Sequence, residues 1–178
     1  MSPIRFEAKL YKIGSWTLLR LPRSASAKLP SRGMVMVAGT INDSHFQAPL
    51  EPDGKGSHWL KVEKNMRAGA EGDKVTIAIE PIKEWPEPRV PADLKKALTS
   101  APTAQSTWMD ITPNARWDWV RWIGSTKNSE TRKKRIGVAL SKMNAGNRRP
   151  CCFNRNSCTN PDVSSNGVLL EPTGAKAK

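Results

Sequence analysis

Apolar and polar residues alternate along the first half of the chain in short segments that are typical of β-strands. Residues 34–41 form a continuous apolar run, as in a strand buried on both faces. A turn at residues 53–56, whose glycines accept positive φ, predicts a hairpin between the strands that flank it. The predicted strands are residues 4–10, 16–22, 34–41, 45–52, 58–63 and 71–81. Six short strands separated by turns predict a small β-barrel, closed or half-closed.

The second half of the chain has the period of helices. Thr112 before Pro113 is a typical helix start, and Gly146 is a typical residue just past a helix end. The predicted helices are residues 91–102, 112–125 and 129–145. Before them, the proline-rich residues 86–91 predict a stiff, extended linker, because proline fixes φ and restricts the residue that precedes it.

These patterns predict an α+β protein in which a small six-stranded β-barrel is followed by a compact helical domain. The barrel domain is expected at residues 1–88 and the helical domain at residues 89–148. Residues 149–178 have no periodicity and contain many turn formers. They are therefore predicted to be an irregular, cysteine-containing tail that lies over the surface or is mobile.

The formal net charge of +13 is unevenly distributed along the chain. Residues 91–150 hold 12 Lys and Arg against 4 Asp and Glu, whereas residues 1–90 hold 14 against 10. Such a charge attracts polyanions at long range, so nucleic acid or an anionic surface is the expected partner, with a protein partner left open. No stretch approaches the roughly 18 apolar residues of a membrane span, and the N-terminus lacks a signal-peptide layout. We therefore expect a cytoplasmic protein without a transmembrane segment.

Three cysteines, Cys151, Cys152 and Cys158, lie close together near the C-terminus. An odd number with two adjacent is not the layout of a disulfide framework. The histidines, His45 and His58, lie far upstream, so the four ligands of a tetrahedral site are not grouped in the sequence. The sequence therefore predicts neither a metal site nor a cofactor and leaves the role of the cysteines open.

Four consecutive basic residues begin the last predicted helix. At helical spacing Ile136, Leu140 and Met143 form a packed seam, and the basic side chains flank it as a positive rim. Two interpretations stay open: a solvated helix face, or a surface that binds polyanions without reading bases. The candidate anion-binding residues are Arg132, Lys133, Lys134, Arg135, Arg148 and Arg149.

The predicted barrel places two histidines and a tryptophan on neighbouring hairpin strands. They could line a ligand pocket at the barrel mouth, or they could be ordinary core and surface groups. The candidate pocket residues are Asn42, His45, His58 and Trp59. Because no serine, cysteine or carboxylate is spaced to complete a nucleophilic triad with either histidine, no catalytic residue is assigned.

Four tryptophans crowd one short window: Trp108, Trp117, Trp119 and Trp122. Their side chains cover most of a helix circumference, so packing in the core is one interpretation. Stacking on bases or on a quaternary ammonium is the other, because Arg116 and Arg121 interleave with the rings.

Several motifs taken together resemble a known family. FEAKL, VAGTIN and GDKVTIAIEP are similar to a small-barrel domain of unknown function that precedes YdeI or OmpD-associated domains. WIGSTKNSETRKKRI is similar to the signature of the second domain, in which the recurring residues are Lys127, Thr131, Arg132, Arg135 and Ile136. The resemblance covers about residues 4–147 and implies a double-split barrel of the AbrB and MazE type. It also implies a role in protection against bacteriocins and antimicrobial peptides, and it carries over no catalytic residue.

The predicted function is therefore that of a non-enzymatic binding or stress-protection protein whose cationic helical face is the contact surface. One alternative is a nucleic-acid-associated protein, as the barrel resemblance implies. The other is a small-molecule binder or enzyme that uses the barrel mouth.

Overall fold

The computed structural model describes residues 2–151 and 153–172. The chain divides into two compact units. Among the described residues, the first contains residues 2–83, 155–158 and 162–172, and the second contains residues 84–151, 153–154 and 159–161. The described residues near the C-terminus are therefore shared between the two units, where the sequence predicts a separate tail. Cys152 lies outside the described residues.

The α+β class is confirmed, but the first unit holds a seven-stranded antiparallel sheet where six strands are predicted. The strand order is β1-β7-β4-β5-β6-β3-β2. The strands are β1 (Ile4–Lys9), β2 (Tyr11–Ile13), β3 (Trp16–Arg20), β4 (Val35–Ile41), β5 (Ser44–Pro52), β6 (His58–Lys61) and β7 (Lys74–Pro81). A closed barrel is not confirmed, because the sheet is a curled half-barrel with β1 and β2 as its two edges.

One residue, Leu10, separates these two edge strands. Consecutive Cα atoms are about 3.8 Å apart, so the end of β1 and the start of β2 are no more than about 8 Å apart. The sheet must therefore curl until its opposite edges approach each other. Leu10 is buried, its N–H donates to Asp73 O (2.9 Å), and its carbonyl accepts from Gly72 N (2.8 Å). The main core, with Val37, Leu50 and Ile77 fully buried, includes this residue.

A two-residue turn and a close approach between two strands lie in the middle of the sheet. Asn42 and Asp43 connect β4 to β5 with φ of 45° and 68°, the left-handed pair that a two-residue hairpin turn requires. The Asn42 side chain accepts from Thr76 N (2.9 Å) and donates to Ala68 O (3.3 Å). Gly39 in β4 lies so close to the paired strand β7 that an added Cβ would stand 1.9 Å from Ala78 O. The neighbouring backbone therefore leaves no room for a side chain there.

Two short connecting elements and a second small sheet complete the first unit. The connecting elements are helix α1 (Arg23–Ser26) and a 3₁₀ turn (Lys64–Met66). The small sheet consists of β8 (Ser164–Ser165) and β9 (Val168–Leu169). Among the described residues, β8 and β9 form a strand ladder only with each other. Their turn, Asn166-Gly167, has positive φ at both positions.

The second unit contains four helices in the part of the chain that the structure describes. They are α2 (Ala92–Thr99), α3 (Pro102–Asp110), α4 (Pro113–Ile123) and α5 (Ser129–Asn144). Their core includes Leu94, Trp108, Trp119, Ile136 and Met143. The predicted cap of α4 is confirmed, because Thr112 Oγ1 accepts from Ala115 N (3.2 Å).

The sequence patterns did not predict α3. This helix buries only Ala104 and Trp108 among its residues, so its sequence lacks an extended apolar stripe. None of the described helices has both the length and the apolar character that crossing a bilayer demands.

Gly39→Ala is expected to lower the free energy of unfolding by about 2 kcal/mol or more, because the new methyl group overlaps backbone that cannot move aside cheaply. Gly137→Ala is the matched control. This glycine lies within α5 with no atom within 4 Å of an added Cβ, so alanine should stabilise the protein by about 0.5–1 kcal/mol. Urea unfolding of both variants measures the difference, and equal effects would contradict the close approach in β4.

Candidate binding sites

The basic run lies on α5, where helix geometry separates its members. Asn128 begins the helix by accepting from Thr131 N at 2.9 Å, and Ile136, Ala139 and Met143 are buried. Arg132 and Arg135 lie beside this buried face and are partly buried. Lys133 and Lys134 are exposed. The four side chains therefore do not form one continuous solvated group.

Arg132 forms a two-pronged ion pair that joins α5 to the first turn of α2. Its Nε donates to Asp93 Oδ2 (2.6 Å) and its Nη2 donates to Asp93 Oδ1 (3.0 Å). This hydrogen bonding holds the pKa of Asp93 below its ordinary value and raises the pKa of Arg132. Parallel bonds from a planar guanidinium give this contact directional specificity.

Arg135 binds the C-terminal end of α4. Its Nη1 donates to Trp122 O (2.8 Å) and to Ser125 Oγ, and its Cζ lies 5.8 Å from the centroid of the Trp122 ring. Carbonyls in the last turn of a helix have no partner within that helix, so a cation at this position satisfies one of them. Arg135 thus contributes to the packing of α4 against α5.

The two arginines after α5 also bind acceptors within the second unit. Arg148 donates to Asp110 Oδ2 (2.6 Å) and to the Asp110 carbonyl (3.1 Å). Arg149 donates to Asp118 Oδ2 and to Asn114 Oδ1. Four of the six candidate anion-binding residues are therefore held by protein acceptors, and the remaining two are Lys133 and Lys134.

These ion pairs occupy three of the four carboxylates in residues 91–150 and leave the nearby lysines uncompensated. Four lysines on α2 and α5 are exposed and have no carboxylate partner among the described residues. We call them the lysine surface: Lys95, Lys96, Lys133 and Lys134. The Asp93–Arg132 pair joins the two helices that carry them.

The four tryptophans mainly pack and bond within the helical unit. Trp108 and Trp119 are buried, and Trp119 meets Trp122 edge to face with centroids 6.1 Å apart. Trp119 Nε1 donates to Arg148 O (3.0 Å), and Trp117 Nε1 donates to Pro86 O (2.9 Å). These contacts support the packing interpretation for the buried rings.

His58 is fully buried in β6 and has partners on both ring nitrogens. Because the carbonyl of Gly33 can only accept, Nε2 carries the proton and donates to it at 2.8 Å. Nδ1 then accepts from Ser26 Oγ (2.7 Å), which in turn accepts from Arg32 Nη1 (3.1 Å). Burial lowers the pKa of His58, and the charge of Arg32 lowers it further. The neutral ring therefore serves to connect β6 with α1 and the segment that follows it.

The structure does not bring the four candidate pocket residues together. Asn42 is in the β4–β5 turn, and Trp59 is 2% exposed in a cluster separate from the main core. His45 is exposed on β5, where it lines a depression of about 380 Å³. Other residues around this depression are Arg5, Ala38, Gly39, Ala78 and Glu80. No group of three or more histidine, cysteine or acidic side chains with metal-binding geometry occurs within the described ranges.

Comparison with known families identifies both halves of the chain. Residues 87–146 match the family described as "Bacteriocin-protection, YdeI or OmpD-Associated", and residues 6–79 match a domain of unknown function, DUF1905. The chain therefore contains a YdeI or OmpD-associated domain at residues 87–146, preceded by a DUF1905 domain at residues 6–79. A search of curated proteins found no match to the chain.

The resemblance inferred from the sequence motifs is thus confirmed, while the finer likeness to AbrB and MazE barrels stays a prediction. The YdeI or OmpD-associated domain contains Arg132 and Arg135, which the structure places in contacts between helices. These two signature arginines therefore have a structural explanation.

A further polar cluster in the first unit has no counterpart among the predicted sites. Arg20 and Lys55 both pair with Glu171, at 3.3 and 3.0 Å. Arg20 Nε also donates to the hydroxyl of Tyr11 at 2.8 Å. Arg20 and Glu171 are about 150 residues apart, so no local spacing could have revealed their contact.

Replacing the arginines of the basic run should affect stability far more than replacing the lysines between them. Arg132→Ala and Arg135→Ala are each expected to lower the free energy of unfolding by about 1–2 kcal/mol, because Asp93 and the Trp122 carbonyl each lose a charged donor. Lys133→Ala and Lys134→Ala are the controls and should stay within about 0.5 kcal/mol. Urea unfolding tests this contrast, and four equal losses would argue against it.

Acidification should destabilise the protein through His58. The folded protein holds this ring neutral with a pKa below the ordinary 6.5, so the unfolded chain takes up the proton first as the pH falls. The contribution of His58 is complete above about pH 6.5 and is lost as the pH falls towards its folded pKa. His58→Gln should flatten this part of the pH profile of unfolding free energy. An unchanged slope in His58→Gln would refute the assignment.

Proposed function

We propose that this chain is a non-enzymatic protein of the protection type that meets negatively charged partners through its lysine surface. The observation that carries the proposal is the contrast between the two kinds of cation in the helical unit. Arginines use three carboxylates for internal ion pairs, whereas Lys95, Lys96, Lys133 and Lys134 are exposed without such partners among the described residues. The excess positive charge therefore reaches solvent on ammonium groups.

The chemistry of lysine favours this role. An ammonium group on a flexible stem is a strongly hydrated point charge, which binds phosphate groups without demanding one geometry. Each lysine near an anionic membrane contributes roughly 1 kcal/mol, and the contribution decreases with added salt. Four such groups support reversible association with an anionic surface.

The family description supplies the biological context of the proposal. The matched family is described as a bacteriocin-protection family, which supports a protective role in general terms. The positions of His58 and Ser26 in the first unit also favour binding over catalysis. His58 and Ser26 are buried and bonded to each other, so neither faces a substrate in this arrangement.

Vesicle binding tests the contact surface. Vesicles that contain phosphatidylglycerol should retain the protein at low salt, whereas neutral phosphatidylcholine vesicles should not. Replacing Lys95, Lys96, Lys133 and Lys134 together by Gln should weaken binding at least tenfold, given roughly 1 kcal/mol per lysine.

A matched variant controls for net charge. Replacing Lys9, Lys12, Lys28 and Lys64, which are exposed in the first unit, by Gln removes the same charge and should weaken binding less than threefold. Equal weakening in both variants would refute the lysine surface. Tighter binding to duplex DNA than to anionic vesicles, with a steep salt dependence, would favour the nucleic-acid alternative instead.

A survival assay tests the protective role. Bacterial cells that produce the chain should survive a bacteriocin better than cells that do not, and the variant of the lysine surface should lose this advantage. The matched variant of the first unit should keep it. No difference in survival would contradict the protective role even if vesicle binding were observed.

A further inference from the structure

The C-terminal strap, defined as residues 155–158 and 162–172, covers an apolar side of the sheet in the first unit. Side chains of a strand alternate between its two faces. In β3 and β6, Leu19 and Leu60 enter the main core, whereas Leu18 and Trp59 face the opposite way. We call the surface formed by Ile13, Leu18 and Trp59 the Trp59 face.

The strap places three apolar side chains on the Trp59 face. Cys158, Val163 and Leu169 are buried there, each 2% exposed or less, and they form one cluster with Trp59. The strap does not add a strand to the main sheet, because β8 and β9 pair with each other. It also lies outside both family matches, which end at residues 79 and 146. The strap is thus a cover on the sheet and not one of its strands.

Charges hold the end of the strap at the rim of the Trp59 face. Glu171 bridges Arg20 and Lys55, and Arg20 Nη2 also donates to Leu170 O at 3.1 Å. The hydroxyl of Tyr11 accepts from Arg20, and burial raises the pKa of this tyrosine to about 12. A single carboxylate therefore pairs with two cations beside the apolar surface, and a phenol bonds one of these cations.

Backbone contacts complete the fit. Leu169 N donates to Asp53 O (2.9 Å) and Cys158 N donates to Gly167 O (2.8 Å). The turns at Gly54 and Gly167 meet so closely that a Cβ on Gly54 would lie 2.1 Å from Gly167 O. The two turns therefore fit closely against each other, with no room for a side chain on Gly54.

One buried polar group is left without a partner beneath the strap. Trp59 Nε1 is inaccessible to solvent and has no hydrogen-bond acceptor among the described residues. Buried polar groups are nearly always bonded, so an exception calls for an explanation. A bound segment with an acceptor oxygen at this point would accept a hydrogen bond from Trp59 Nε1, which the strap does not do.

We propose that the Trp59 face is a peptide-binding surface, and that the strap is its intramolecular occupant. The partner is a segment of another protein that presents apolar side chains to Trp59 and a carboxylate to Arg20 and Lys55. A carbonyl of that segment bonds Trp59 Nε1. This proposal concerns the first unit and does not depend on the lysine surface.

A free copy of the strap tests the proposal in trans. The probe is a labelled synthetic peptide of residues 155–172 with Cys158 replaced by Ala, and its binding is measured by fluorescence anisotropy. The attached strap competes at an effective concentration of about millimolar, so the unmodified protein should bind the peptide weakly. The full-length variant Val163→Asp/Glu171→Lys weakens its own strap and should bind the peptide at least tenfold more tightly.

Two changes test the chemistry of the site. The peptide with Glu171→Lys, and the same protein variant with Arg20→Gln added, should each reduce the affinity at least tenfold. If the folded strap variant fails to bind the peptide, or binds both peptides equally, the proposal is overturned.

Thiol labelling decides the case in which the strap variant does not fold. With Cys151 and Cys152 replaced by Ser, Cys158 is the remaining cysteine of the three in the chain. In that protein, labelling of Cys158 through local opening should depend only weakly on denaturant. Labelling that requires global unfolding would show that the strap is an integral part of the core and would overturn the proposal.

Discussion

The fold of the first unit depends on the single residue that joins its two edge strands. Because only Leu10 lies between β1 and β2, the sheet cannot lie flat, and the strands between them must curve around one core. Because side chains alternate along a strand, β3 and β6 also have two apolar faces, one inside the core and one outside it. A second covering layer is then required, since exposed patches of this kind promote association. The C-terminal segment provides that layer.

Much of this fold could be predicted from the sequence, because strand alternation and helix caps are local signals. Thr112 before Pro113 specified the start of α4, and the longer strands follow the apolar alternation. The features that escaped prediction are short or nonlocal. β2 has three residues, too few to show a period, and α3 buries only two side chains. The packing of residues 162–172 depends on residues more than a hundred positions away, so no window of sequence contains the signal.

The basic run shows why charge patterning identifies a region better than it identifies a site. Arg132 and Arg135 serve contacts between helices, whereas the adjacent Lys133 and Lys134 remain in solvent. The partner of Arg132 lies 39 residues away, and the partner carbonyl of Arg135 is at the end of another helix. A planar guanidinium suits such directed bonds, while an ammonium tolerates solvent. Counting cations along the sequence could not separate the two roles.

The position of Tyr11 gives the first unit a built-in optical reporter. It is the only tyrosine in the sequence, and its hydroxyl lies against the guanidinium that also holds Glu171. The ultraviolet absorbance that accompanies phenolate formation therefore arises from one location. Alkaline difference spectra of the intact chain consequently describe the surroundings of Arg20 without any label.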